Sequence, residues 1–124
     1  MWEHWDGIKD DGTFWSSDMN SFNHYAYGSV FDWIFKNACG ISIDEEKGAG
    51  YKSVIIEPKT DKRLGFVKSS IDTRSGKFEV NWYINNDGVH YEITIPKGVN
   101  ALLKLKGRRV VNVEGGKYMF ACKE

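Results

Sequence analysis

The spacing of the apolar residues changes at Gly40, and that change divides the chain. Before it, Phe22, Tyr25, Ala26, Ser29, Val30, Trp33, Ile34 and Ala38 recur at helical spacing. Asn20 or Ser21 is a good N-cap, and Gly40 stands where a C′ glycine ends a helix. The pattern predicts one helix over about 21–39. After Gly40 the period falls to two. Phe78, Val80, Trp82 and Ile84 alternate with Glu79, Asn81 and Tyr83, and Val89, Tyr91, Ile93 and Ile95 alternate with His90, Glu92 and Thr94. Between them Asn85-Asn86-Asp87-Gly88 is a hairpin turn.

Further short runs surround this hairpin. Val54-Ile55-Ile56 stops at Pro58, and Phe66 to Ile71 is a weaker strand. Pro96-Lys97-Gly98 breaks the run that begins at Val89. Ala101–Lys106, Val110–Val113 and Tyr118–Cys122 follow, separated by Gly107 and Gly115-Gly116. Many short strands at close spacing predict a mainly β fold, an antiparallel β-sandwich of jelly-roll-like kind. The charged, glycine-rich stretch from Asp44 to Gly50 places a domain boundary between Gly40 and Gly50.

The predicted helix is apolar nearly all round, because its other face carries Tyr27, Phe31 and Phe35. Such a helix is normally buried on every side. One small β-domain covers only one face, so the helix lacks a neighbour. The expectation is self-association through Tyr27, Phe31 and Phe35.

Composition narrows the function classes. The 124 residues carry a formal net charge of +0, which gives no footprint for nucleic acid or for an anionic membrane. No apolar run reaches membrane-spanning length. Cys39 and Cys122 read as buried free thiols. They and the scattered His4, His24 and His90 lack metal-site spacing, so no metal and no cofactor are expected. Asp10-Asp11, Asp18 and Asp44-Glu45-Glu46 read as solvated loop charge rather than calcium ligands. Lys104, Lys106, Arg108 and Arg109 read as a solvated edge.

Two stretches carry chemistry. Trp2-Glu3-His4-Trp5-Asp6 places two tryptophans around a carboxylate. Indole beside a carboxylate partly desolvates it and raises its pKa, which suits an acid or base in glycoside cleavage. The plainer reading makes Glu3 a surface residue and Trp2 and Trp5 core anchors. Asn23-His24-Tyr25 sets a histidine at the start of the helix, able to give or take one hydrogen bond from a sugar hydroxyl, or simply to bond nearby backbone. Phe22, Tyr25 and Tyr27 read as core packing. A rival reading is a noncatalytic carbohydrate-binding sandwich with its site around Trp82, Tyr83 and His90.

Trp2-Glu3-His4-Trp5-Asp6, followed by Met19-Asn20-Ser21-Phe22-Asn23-His24-Tyr25-Ala26-Tyr27-Gly28-Ser29-Val30, resembles the C-terminal part of bacterial α-L-rhamnosidases, glycoside hydrolase family seventy-eight. The stretches Gly40-Ile41, Gly48-Ala49-Gly50-Tyr51-Lys52, Ile55-Ile56-Glu57-Pro58 and Ser69-Ser70-Ile71-Asp72-Thr73 are similar too. Asp18-Met19 departs from the Pro-Gly-Met common in that family. The resemblance implies that residues 1–40 end a truncated (α/α)6 barrel and that 41–124 form the C-terminal sandwich. It implies an inverting hydrolase acting on terminal α-L-rhamnose of plant or bacterial glycans. It places the general base on Glu3 and a sugar contact on His24, with Trp2 and Trp5 beside them. Inversion needs a second carboxyl, the acid, about 6.5–9.5 Å away. That acid lies upstream in the family, so this chain alone should be inactive.

Overall fold

The computed structural model describes Trp2 and residues 4–123, apart from the side chain of Tyr27. The chain divides into two compact units, 1–33 and 34–124. Helix α1 spans Tyr25–Ile34. It starts four residues later than Ser21, because the chain from Ser21 to His24 forms a turn instead.

The second unit opens with a π-helical turn, Phe35–Cys39, ended by Gly40 at φ 72°. The Gly40 N–H donates to the Phe35 carbonyl at 2.9 Å. A helix end leaves carbonyls without partners, and here the sheet supplies them. The Lys59 N–H donates to the Asn37 carbonyl at 2.9 Å, and the Trp82 indole Nε1–H donates to the Ala38 carbonyl at 2.8 Å. A Cβ at position 40 would overlap the backbone of Glu57 and Pro58, so only glycine fits this ending.

Six strands follow: β1 Ile41–Ile43, β2 Ser53–Ile56, β3 Phe66–Thr73, β4 Gly76–Asn85, β5 Gly88–Leu103 and β6 Val111–Cys122. They form a single sheet in the order β1-β2-β5-β4-β3, with β6 on β5. The mainly β class expected from the alternation is what the chain adopts. The hairpin turn also stands as read, with Asn85 opposite Gly88.

Strand β5 is the spine. Its first half pairs antiparallel with β4, and Asn100–Leu103 pairs with β2. Strand β6 runs antiparallel along both halves on the other edge. The β2–β5 pairing is parallel, the one departure from an antiparallel arrangement among the described strands. The sheet curls so that both halves share one core, which includes Ile41, Val54, Phe78, Trp82, Ile93 and Leu103.

Pro96-Lys97-Gly98 does not end β5 as expected. Five steps from Ile95 to Asn100 are matched by two steps from Gly116 to Glu114 on β6. This bulge accommodates the proline and bends the strand. Gly115 lies against it, where a Cβ would overlap the Pro96 carbonyl. The two glycines thus sit inside one long β6 rather than separating two strands.

Cys39 and Cys122 are buried free thiols, as expected. Asp44 differs from the solvated reading. It is 8% exposed, pairs with Lys47 at 3.1 Å, and its N–H donates to the Ser53 carbonyl at 3.0 Å. Phe35, expected on the exposed helix face, packs partly against the sheet core. Arg108 lies over the Phe120 ring, 4.8 Å from its centroid, and Lys106 and Arg109 are exposed.

Candidate active-site segment

In the first unit the chain doubles back between Gly7 and Trp15. The Trp15 N–H donates to the Gly7 carbonyl at 3.0 Å, and the Lys9 N–H to the Thr13 carbonyl at 2.8 Å. Asp11 fixes the tip by accepting from the Thr13 hydroxyl at 2.6 Å and the Thr13 N–H at 2.9 Å. These bonds hold the Asp11 carboxyl below the usual carboxylate range.

The doubling back brings aromatic rings to the start of the chain. Trp2 meets Phe22 edge-on, with centroids 4.7 Å apart at 73°. Phe14 lies 5.9 Å from Phe22. The His4 ring stacks on Trp15 at 5.1 Å, with its Nδ1 3.8 Å from an Asp6 carboxyl oxygen. Glu3, the candidate base, lies outside the described residues. Among the described residues, Trp2 and Phe14 pack on Phe22, and Trp15 stacks on His4.

Trp2 and Trp5 differ. Trp2 packs on Phe22, whereas Trp5 is 82% exposed and points at solvent. His24 immediately precedes α1 and is half-buried. It lines a shallow cleft with Asn23, Tyr25, Gly28, Ser29 and Asp32. Gly28 and Asp32 fall four apart on one face of the helix, and His24 lies just ahead of its first residue. Gly28 has no atoms where a Cβ would stand, which keeps the middle of the cleft open. The Ser29 hydroxyl donates back to the Ala26 carbonyl at 2.8 Å. Tyr25, read as core packing, is 85% exposed.

Sequence reasoning missed Phe14, Trp15 and Asp32. The hairpin sets Trp15 on His4, while Phe14 lies against Phe22. The rival site on the sheet loses Trp82, which is 1% exposed and hydrogen-bonded to Ala38. Tyr83 and His90 remain on the outer face, stacked at 4.7 Å.

Residues 40–120 match the model of the bacterial alpha-L-rhamnosidase C-terminal domain, and residues 1–38 match that of the bacterial alpha-L-rhamnosidase 6 hairpin glycosidase domain. The chain belongs to the bacterial alpha-L-rhamnosidase family. Among the family's curated members, an alpha-L-rhamnosidase of Streptomyces avermitilis is 36% identical over 101 residues, 82% of this chain and 10% of that protein. One of Alteromonas sp. is 35% identical over 100 residues, 81% of this chain and 10% of that protein. The chain therefore spans about a tenth of the length of these relatives. The crystal structure of a Streptomyces avermitilis alpha-L-rhamnosidase complexed with L-rhamnose superposes with a TM-score of 0.75 at 30% identity, covering 99% of this chain and 14% of that one. The native alpha-L-rhamnosidase of Aspergillus terreus gives 0.75 at 28% identity, covering 98% and 14%. No described helix is long and apolar enough to cross a membrane.

Proposed function

We propose that this chain is the C-terminal part of an inverting glycosidase that releases terminal α-L-rhamnose from glycans. The observation that carries the proposal is the match of residues 1–38, the segment holding Glu3 and His24, to a glycosidase domain. In this reading residues 1–40 close a helical barrel and 41–124 form the sandwich that braces it.

Glu3 serves as general base. It takes a proton from a water on the face of the sugar opposite the leaving oxygen, while an acid outside this chain protonates that oxygen. The indoles that flank Glu3 in the sequence favour a carboxylate ready to accept a proton. His24 gives or takes one hydrogen bond from a rhamnose hydroxyl. With the acid absent, the 124-residue chain alone hydrolyses nothing.

Two experiments test this. Proton NMR of the longer enzyme at early times should show β-L-rhamnose as the first product from an α-rhamnoside. Release of α-L-rhamnose would exclude inversion. His24→Ala should raise KM for an aryl rhamnoside, and an unchanged KM would remove the sugar contact.

The helix supports a second consequence. Phe31, on the helix face expected to associate, is 61% exposed. Without barrel neighbours, this face brings two copies of the isolated chain together.

A further inference from the structure

The stacked pair Tyr83 and His90 defines a feature of the sheet that the catalytic reading does not use. Their rings are 4.7 Å apart and within 3° of parallel, on directly paired positions of neighbouring strands. Rings stacked across that spacing stand upright on the sheet. One face of Tyr83 is covered by His90. The other turns toward β3, where Phe66 is its register partner. Phe66 is 64% exposed and Tyr83 42%. His90 is held in turn by a 3.2 Å contact between its Nε2 and Asn85 Oδ1.

The next outward row is polar. Lys68 pairs with Asn81, and Asn81 with Glu92. Together Phe66, Tyr83, Lys68, Asn81 and Glu92 line one shallow groove. Asn81 Oδ1 accepts from the Ser69 N–H at 3.2 Å, which leaves its amide N–H groups as donors. Glu92 offers an acceptor and Lys68 a donor. Their opposite charges cancel, so the groove favours a neutral ligand over an ion. A ring with an apolar C–H face and a rim of hydroxyls fits this lining.

We propose that this groove binds a pyranose unit of a neutral glycan, with its C–H face on Tyr83 and its hydroxyls on Asn81, Glu92 and Lys68. These side chains carry the inference by themselves, whatever residues 1–33 do. The site would hold a polysaccharide near the enzyme rather than cleave it.

The test is an amide NMR titration of the 124-residue chain with rutinose, a neutral rhamnosyl-glucose disaccharide. Saturable shifts are expected at Phe66, Lys68, Asn81, Tyr83 and Glu92, and they should persist at about 0.5 M salt because no net charge is neutralised. Tyr83→Ala should weaken binding by about tenfold. Phe66→Ala and Glu92→Gln, at exposed positions, should weaken it several-fold with the spectrum otherwise native. Silence of the groove residues at ~100 mM sugar, shifts that vanish in salt, or unchanged binding in the Phe66 and Glu92 variants would overturn the proposal. Shifts confined to residues 2–32 would overturn it while leaving the catalytic reading intact.

Discussion

The Trp82 indole nitrogen donates to the Ala38 carbonyl across 2.8 Å of buried interior. One side chain of β4 thereby closes a helix end that its own turn cannot satisfy. Trp82 is also among the largest fully buried residues, 1% exposed. Trp82→Phe removes the donor, strands the carbonyl and leaves a gap. The expected loss is about 2–4 kcal/mol, read as a lower urea midpoint with an unchanged slope. A loss below about 0.5 kcal/mol would mean the carbonyl has another partner.

Gly115 and the bulge at Pro96 are mutually required. A Cβ at position 115 meets Pro96 and Lys97 backbone, which has no flexible end to move. Gly115→Ala should cost about 1–3 kcal/mol and broaden amide signals from residues 95–100. Gly28→Ala provides the comparison. Gly28 has neither a positive φ nor any atom where a Cβ would stand, so its variant adds the methyl without strain or overlap. Equal thermal shifts for the two would remove the overlap from the explanation.

Asp61 receives a forked ion pair from Arg63, with Nη2 at 2.6 Å and Nε at 3.0 Å, plus the Arg63 N–H at 2.8 Å. The side-chain bonds to Arg63 lower its pKa to about 2. A depressed carboxylate stabilises the fold above its unfolded pKa, and the contribution is lost as pH falls through the folded value. The window therefore runs from about 4 down to about 2. Carbon-detected NMR of the carboxyl should show a midpoint of about 2, and Arg63→Gln should raise it toward the ordinary aspartate range but not fully, because the N–H at position 63 still donates. A midpoint already in that range would show the fork does not persist in solution.

Association through α1 is directly measurable. Sedimentation of the isolated chain should show a concentration-dependent dimer or larger species. Phe31→Glu should shift it to monomer. A clean monomer at high concentration would refute the contact.

Much of this fold was legible because local and global signals agreed. The alternation through Phe78–Ile84 and Val89–Ile95 gave the right inward faces: Trp82 and Tyr91 are buried while Glu92 is exposed. Gly40 marked the helix end correctly, since its positive φ is a local property. What failed was long-range. Pro96-Lys97-Gly98 reads as a strand end unless Gly115 is known to lie opposite. The parallel β2–β5 pairing has no short-range signature at all. Asp44 looked solvated because its partners, Lys47 and the Ser53 carbonyl, come from a turn and a strand pairing. In the candidate site, Glu3 and His24 stood out by motif. Trp15 did not, because its meeting with His4 depends on the Gly7–Trp15 hydrogen bond.

We propose Glu3 as the base of a rhamnose-releasing site. The most direct measurement is turnover of an aryl α-L-rhamnoside by the longer enzyme carrying Glu3→Gln, with rhamnose binding followed in parallel. A lost general base should cut kcat by about a hundredfold to ten-thousandfold while the sugar still binds. Near-normal turnover in that variant would contradict the account.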